Sequence, residues 1–265
     1  MSVKVDQLLV SELRSLLECG RVLDVPAGTG HLSRQLLAAG YEVTAADLFP
    51  EHVEGAAGKA VGVDMNEPLP FAAECFDAVV CQEGIEHLEN PAAFLRELSR
   101  VLKQRGHLWI TTPNFMDLSG RLAFFLSGMK SFQAGLPEEE TTLWGRDATR
   151  VYHGHAFTLP FFQIRYLLRV QGFEDISLSG TGRSTLSTIL YPLVRPFIGW
   201  WIRRAYRRLA SRSNHRGRPA TSPELVDELV RLARSRSLLC DRKIVVRARR
   251  AAAPIHNAAA PVDIG

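Results

Sequence analysis

Apolar and polar residues form two kinds of pattern along this chain, and together these patterns predict an α/β domain. Short apolar runs, typical of buried strands, occur at 21–25, 41–46, 60–64, 76–81 and 106–112. Between them, apolar residues recur at helical spacing near 30–39, 50–57 and 91–103. A first helix is predicted by an apolar stripe made of Val5, Leu8, Leu9, Leu13, Leu16 and Leu17. This alternation predicts a doubly wound, mostly parallel sheet with helices on both faces.

The second half of the chain keeps this pattern only in part. A helix at 159–172 and strands at 173–180 and 243–249 continue it, while two long stretches interrupt it. The predicted divisions are a main domain of 1–180 with 241–250, insertions at 115–155 and 181–240, and a tail at 251–265. The tail is small and polar enough to be disordered.

A short glycine-bearing loop follows the first predicted strand. The sequence VLDVPAGTG occupies 22–30, and helical spacing resumes directly after it. Gly28 and Gly30 suit a turn that a ligand approaches closely, because glycine tolerates positive φ and carries no side chain. Pro26 stands where a dinucleotide fingerprint has its first glycine, and it stiffens the turn. The strand, loop and helix order is typical of nucleotide-like ligand sites.

Acidic residues end the first three predicted strands. They are Asp24, Asp47 and Asp64, and Asp64 is followed by Met65. Open parallel sheets bind ligands at the carboxyl ends of their strands, where an acid can accept hydrogen bonds from ribose hydroxyls. The alternative for each acid is a helix cap or a turn former.

The segment QEGIEHLENP after the fourth strand concentrates chemistry-bearing side chains. If a helix starts near Gly84, then Glu83, Glu86 and His87 stand at i, i+3 and i+4 and point the same way. Two carboxylates and an imidazole on one face can hold a hard divalent cation. His153 or His155, in YHGHAFTL, can add a ligand. The alternative is that these residues only begin a helix.

Several of these segments, in this order, resemble class I S-adenosylmethionine-dependent methyltransferases of the type 11/23 group, similar to ubiquinone-pathway O-methyltransferases. They are LDVPAGTG, the acid of AAD, VDMNEPLPF, FDAVVCQEGIEHLENP and GHLWITTPN. The resemblance implies a seven-stranded Rossmann-like sheet whose last strand is antiparallel, and a substrate-recognition role for 115–155. It implies S-adenosylmethionine binding by Asp24, Pro26, Gly28, Gly30, Asp47, Asp64, Met65 and Glu83. The family usually has glycine in place of Pro26, so this sequence departs from it there.

The EGIEH and HAF strings resemble the metal-dependent branch of the family, which methylates vicinal diols, catechols or RNA 2′-hydroxyls. By that resemblance, Mg²⁺ or another divalent cation is held by Glu83, Glu86, His87 and His155. A cation lowers the pKa of a bound hydroxyl and generates a nucleophile. Without a cation, His87 or His155 is the candidate catalytic base, because imidazole titrates near neutral pH.

Charge is divided sharply along the chain. Residues 195–250 hold 16 Lys and Arg against 4 acids, whereas 1–194 hold 16 against 23. The basic segment also carries Trp200, Trp201 and Tyr206. This composition leaves open peripheral contact of 190–210 with a membrane or lipid-linked substrate, an ordinary solvated surface, or nucleic acid. Arg195 breaks the apolar run, which is too short for a transmembrane span.

Composition adds two further expectations. The four cysteines lack CxxC spacing and are expected to be buried free thiols rather than disulfides or zinc ligands. The first twenty residues lack a signal peptide's apolar run, which favours a cytoplasmic protein, or one peripheral to the inner face of the membrane.

The function predicted from the sequence is O-methylation of a hydroxylated small molecule, sugar or lipid-linked intermediate by an S-adenosylmethionine-dependent enzyme. The alternatives are an RNA methyltransferase and a non-catalytic S-adenosylmethionine-binding interaction domain. An NAD-dependent oxidoreductase would need the longer glycine fingerprint that this loop lacks.

Overall fold

The computed structural model describes residues 2–55, 60–128, 154–157, 159–213 and 222–252. Its strands are β1 (Arg21–Asp24), β2 (Glu42–Asp47), β3 (Val61–Gly62), β4 (Phe76–Gln82), β5 (Leu102–Pro113), β6 (Phe173–Arg183) and β7 (Asp241–Arg250). Its α-helices are α1 (Ser2–Arg14), α2 (His31–Ala38), α3 (Pro91–Val101), α4 (Leu118–Ser127), α5 (Phe161–Val170), α6 (Thr185–Ser213), α7 (Pro223–Ala233) and α8 (Arg236–Cys240). Single 3₁₀ turns lie at Pro50–His52, Ile85–His87 and His155–Phe157.

The described strands form one sheet in the order β3-β2-β1-β4-β5-β7-β6. The β1, β2, β3, β4 and β5 pairings are parallel, and β7 lies antiparallel between β5 and β6. The mostly parallel seven-stranded sheet with its antiparallel last strand is therefore confirmed. The strand order reverses beside β1, the position at which such sheets form ligand crevices.

Apolar layers cover both faces of the sheet. On one face, α1 and α2 pack Leu9, Leu13 and Leu36 against Trp109. On the other, α3 and α5 contribute Phe94, Leu98, Phe161 and Ile164, among other buried residues. This two-sided burial explains why the central strands read as continuous apolar runs.

Three predicted elements differ from the structure. The predicted helix at 50–57 is wrong: within the described residues of that stretch, only the turn Pro50–His52 is helical. Strand β3 is two residues long because Asp64 starts a turn, its carboxylate accepting from the Asn66 amide at 2.8 Å. The helix predicted to reach 103 stops at Val101, since Leu102 already pairs with Phe76 in the sheet.

The predicted insertions are helical where they are described. Within 115–155, residues 118–127 form α4, and 129–153 lie outside the described residues. Within 181–240, β6 extends to Arg183, and α6, α7 and α8 follow. Of the tail, 253–265 lie outside the described residues. The domain boundaries stay a prediction.

The four cysteines are free thiols, but the expectation that they are buried holds only for Cys81 and Cys240. Cys75 is half-buried, and Cys19 is exposed. Among the described helices, we find none with the length and apolar character that a bilayer-spanning segment needs.

Candidate functional site

A cavity of about 650 Å³ opens at the carboxyl ends of β1, β2 and β4. The loop after β1, the end of β2 and the segment after β4 form most of its wall. The predicted residues that line it are Pro26, Gly28, Asp47, Asp64, Met65, Glu83 and His87. Asp24, Gly30, Glu86 and His155 are not among the lining residues. The cavity thus lies where the sequence places a nucleotide-like ligand.

The glycine loop presents backbone to this cavity. Gly28 has φ of 55°, and a Cβ built on it would meet no atom within 4 Å, so the space beside it belongs to the cavity. Gly30 has φ of 76° and caps α2, and its Cβ would lie 2.6 Å from the Glu54 carbonyl oxygen. The first glycine leaves room for a ligand, and the second permits close chain packing.

Asp47 ties the end of β2 to this loop. One carboxylate oxygen accepts from the Gly28 amide at 2.7 Å, and the other accepts from the Phe49 amide at 2.9 Å. The carboxylate lines the cavity while being almost fully buried. These bonds hold an acceptor at the position expected to meet ribose hydroxyls.

Asp24 lies behind the loop rather than in the cavity wall. Its side chain is buried, and one oxygen accepts from the Ser33 hydroxyl at 2.5 Å. The other oxygen has no hydrogen-bond partner. Burial raises the pKa of Asp24 to about 7, against the opposing effect of the Ser33 bond. This placement favours ordering of the turn over direct ligand contact.

Glu83 follows β4 in a left-handed backbone conformation, with φ of 52°. Its amide donates to the Thr111 carbonyl, and its carboxylate accepts from the Lys243 ammonium at 2.6 Å. Both members of this ion pair line the cavity. An uncommon backbone conformation of this kind concentrates at functional sites.

Several lining residues were not identified from the sequence. Asp6 of α1 is fully buried; its carboxylate contacts His31 Nδ1 at 2.5 Å and accepts from Gln82 Nε2 at 2.9 Å. All three side chains line the cavity, as does Lys243. The available signal was Asp6 itself, an acid three residues before Leu9 within the apolar stripe of α1.

A second group of side chains adjoins the cavity. The ligand atoms of Glu86, His87 and His155 all lie within 4.8 Å of one another. The two imidazole rings have centroids 4.9 Å apart, which brings the turn at Ile85–His87 against the turn at His155–Phe157. We call these three residues the Glu-His-His cluster.

The predicted helix at Gly84 is absent, and its absence changes which side chains can act together as metal ligands. Residues Ile85–His87 form one 3₁₀ turn, and the left-handed Glu83 precedes it. The Glu83 side chain therefore pairs with Lys243 and does not join Glu86 and His87. His153 lies outside the described residues.

The environments of Glu86 and His87 define the chemistry of the cluster. Glu86 is fully buried; one oxygen accepts from the Thr112 hydroxyl at 3.0 Å and the other has no hydrogen-bond partner. Burial, followed by the nearby Glu83 charge, raises the pKa of Glu86 to about 8. His87 Nδ1 lies 3.2 Å from the Gly154 carbonyl, which can only accept, so Nδ1 carries the proton and Nε2 the lone pair.

Comparison with known proteins adds to this geometry. Residues 23–110 match the family described as a methyltransferase domain. The ubiquinone biosynthesis O-methyltransferase of Xanthomonas oryzae pv. oryzae is 42% identical over 103 residues, which are 36% of this chain and 43% of that protein. The enzyme of the same name from Xanthomonas campestris pv. campestris is 40% identical over 110 residues, 38% of this chain and 46% of that protein. The match spans less than half the length of these relatives.

Solved structures match over nearly the whole chain. A methyltransferase from Archaeoglobus fulgidus has a TM-score of 0.50 at 17% identity, covering 92% of this chain and 94% of its own. Phosphoethanolamine N-methyltransferase 2 from Haemonchus contortus, bound to S-adenosylhomocysteine, has a TM-score of 0.51 at 16% identity. The match covers 94% of this chain and 52% of that protein. Identities this low show the fold alone. Residues 23–110 are thus similar to a methyltransferase domain, and the sheet built around them has the fold of the solved S-adenosylmethionine-dependent methyltransferase that it matches.

Proposed function

We propose that this chain is an S-adenosylmethionine-dependent methyltransferase that holds its methyl donor in the 650 Å³ cavity. The observation that carries the proposal is the open space at Gly28 beside the Asp47 carboxylate, at the carboxyl edge of the sheet. Asp47 would accept from the ribose hydroxyls, while Asp64 and Met65 would border the adenine. When bound, the donor supplies an electrophilic methyl group on its sulfonium.

The acceptor that we propose is a hydroxyl group on a small molecule. The relatives from Xanthomonas are named as O-methyltransferases, and they match 36% and 38% of this chain. In the absence of a cation, His87, which lines the cavity and in its neutral form carries a lone pair on Nε2, can take the proton as the oxygen is methylated. His155, whose ring lies beside His87, is the second candidate base. Lipid-linked hydroxyl compounds belong to this class, and a cytoplasmic enzyme at the inner membrane face would meet them.

A divalent cation held by the Glu-His-His cluster is the second part of the proposal. The unpartnered oxygen of Glu86 supports it, because a bound cation would satisfy a buried acceptor. Two imidazoles with one carboxylate suit Mn²⁺, Fe²⁺ or Zn²⁺ better than Mg²⁺, which prefers oxygen ligands. The cation would stabilise an ionised hydroxyl of the acceptor and reduce the need for a strong base.

Binding of the donor is tested by titration calorimetry with S-adenosylmethionine. We expect one site per chain, and Asp47→Ala should weaken binding by at least roughly tenfold, the effect of about 1.4 kcal/mol. Glu42→Ala is the matched control, because Glu42 is an exposed acid at the opposite end of the same strand. Absence of binding to the unaltered protein, or preferential binding of NADH, would refute the proposal.

Methyl transfer is tested with a labelled donor and a soluble catechol, 3,4-dihydroxybenzoate, before and after treatment with chelator. We expect Glu86→Gln and His155→Ala to lower turnover at least tenfold, with no change for the control Glu89→Gln at an exposed site three residues away. Full turnover by both variants in chelator would exclude the cation. Donor binding without transfer to catechol, lipid or RNA fractions would favour an interaction domain, and label in RNA alone would favour RNA methylation.

A further inference from the structure

The long helix α6 exposes one row of large apolar side chains. Leu186, Ile189, Leu193, Phe197, Trp200 and Trp201 recur three or four positions apart, with a final adjacent pair. Leu193 is 74% exposed, Ile189 is 63% exposed and both tryptophans are more than half exposed. We call these six residues the outer face of α6. A contiguous apolar surface of this kind marks a contact site more often than a solvated one.

An adjacent side of α6 is anchored in the protein. Leu190, Tyr191, Val194 and Ile198 pack against a buried cluster that includes Leu239. The Ser187 hydroxyl donates to the Asp117 carboxylate at 2.9 Å, which fixes the start of the helix. The outer face is therefore a fixed surface of the fold.

Arginines surround the aromatic end of this face. A second cavity, of about 470 Å³, is lined by Pro196, Gly199, Trp200, Arg203, Arg204, Arg207, Arg208 and Arg234. Helix α6 carries six arginines and no acidic residue. Arg203 pairs with the exposed Asp227 at 2.7 Å, and the guanidinium of Arg204 lies 5.6 Å from the centre of the Trp200 ring. The cavity thus joins positive charge to an aromatic wall, a combination suited to a phosphate group on an apolar support.

We infer that the outer face of α6 docks this protein on a bilayer containing anionic phospholipids, with a lipid phosphate in the arginine-lined cavity. Aromatic and aliphatic side chains beside arginines are the composition of helices that lie in the plane of a membrane interface. Anionic lipids attract such arginines electrostatically. Nucleic acid would engage the arginines but would leave Ile189 and Leu193 exposed, so the apolar residues favour a bilayer.

The start of α6 and the cavity that holds the candidate site lie at the same edge of the sheet. The helix starts two residues after β6, which runs in the same direction as β5, so the start of α6 lies at the carboxyl edge of the sheet. Asp117, which binds Ser187, follows β5 at the same edge. A lipid-linked hydroxyl compound could thus reach the site from the bilayer. That consequence rests on the proposed methyltransferase activity; the docking does not.

Vesicle flotation with the full chain tests the docking. Vesicles of phosphatidylcholine alone are compared with vesicles in which phosphatidylglycerol replaces part of it, at constant ionic strength. We expect flotation with the anionic vesicles only. Trp200→Ser with Trp201→Ser should lower the partition coefficient at least tenfold, since the interfacial aromatic side chains are lost. Arg204→Gln with Arg207→Gln should lower it on the order of 30-fold, because each arginine near such a surface contributes separately.

Tyr166→Ser provides the matched control, because Tyr166 is 65% exposed on α5, outside the outer face of α6. This variant should float like the unaltered protein, and all variants should keep its thermal midpoint, since the changed side chains are exposed. Undiminished flotation of both double variants would overturn the inference. Tighter binding to an RNA oligonucleotide that depends on the arginines but not the tryptophans would also overturn it.

Discussion

The replacement Asp24→Asn is expected to make the stability of this protein less dependent on pH. The Asp24 carboxyl is fully buried behind the glycine loop, and burial raises its pKa from 3.8 to about 7. The charges of Asp6 and Asp47 act in the same direction, while the Ser33 hydroxyl opposes them. Asparagine has the same shape and can still accept from Ser33, but it never ionises.

The direction of this pH dependence follows from how many protons Asp24 binds in the folded and unfolded states. Between the unfolded and folded pKa values, the folded protein keeps a proton on Asp24 that the unfolded chain has lost. Stability therefore falls as pH rises through this window. A difference of about 3 pKa units corresponds to a loss of about 4 kcal/mol once both states are ionised. Part of that loss occurs below pH 5, so the change between pH 5 and pH 8 is about 3 kcal/mol.

Urea unfolding of the ligand-free protein at a series of pH values measures this change. The free energy of unfolding of Asp24→Asn, minus that of the unaltered protein, should rise by about 3 kcal/mol between pH 5 and pH 8. Taking the difference between the two proteins removes the pH-dependent contributions of other titratable groups, including Glu86, because both proteins contain them. A difference that stays constant across this range would refute the reasoning, because it would mean that Asp24 ionises alike in both states.

Asp77→Asn is the matched control for this experiment. Burial acts to raise the pKa of Asp77, but hydrogen bonds from Lys103 and the Arg21 amide outweigh it and hold the pKa below its usual value. The stability that this carboxylate contributes is present above its unfolded pKa and is lost only as pH falls through the lower folded value. Its difference curve should therefore be flat between pH 5 and pH 8.

Two further pairs of substitutions separate folding from binding. Both Gly28→Ala and Gly30→Ala should lower the free energy of unfolding by roughly 1–3 kcal/mol because φ is positive at both positions. Gly30→Ala should lower it further, since its Cβ would meet the Glu54 carbonyl oxygen at 2.6 Å, whereas Gly28→Ala should add a loss of donor binding. Equal losses of stability in urea unfolding would contradict this division. Lys243→Met should lower the free energy of unfolding by about 1 kcal/mol, a small loss because the ion pair with Glu83 is partly exposed. Adding Glu83→Gln should restore most of that loss, because it removes the carboxylate left without its partner. A double-mutant cycle without coupling would show that the pair contributes nothing.

The sheet was predictable because its central strands are buried on both faces. Burial makes β4 a continuous apolar run, and it makes the acids that end β1 and β2 conspicuous at the carboxyl edge. The short β3 and the missing helix at 50–57 were less predictable. There, turn formation by the Asp64 carboxylate and chain packing around Gly30 outweigh the weak local periodicity.

The candidate site was predictable only where one segment carries it. Gly28 and Asp47 follow from local sequence, since each stands at the end of a strand. The Glu-His-His cluster needed a contact between segments 67 residues apart, and its third member came from resemblance. Lys243 reaches the cavity because β7 is antiparallel to β5 and pairs Lys243 with Pro113 at the strand end. Periodicity gives a strand but not its direction, so this neighbour of Glu83 could not be predicted.

Asp6 is an acidic residue within the apolar stripe of α1, and its place in the cavity wall was not predicted from the sequence. A carboxylate within an apolar helical stripe must find partners or lose its charge, because an unpaired buried charge is strongly unfavourable. Its partners, His31 and Gln82, lie at the start of α2 and the end of β4, and both also line the cavity. The helix stripe therefore predicted that α1 packs on the sheet, while Asp6, an acidic residue within it, marked where α1 contributes to the cavity wall. In α/β domains of this kind, a polar residue inside an apolar helical stripe is therefore a candidate site residue, as an acid at the end of a strand is.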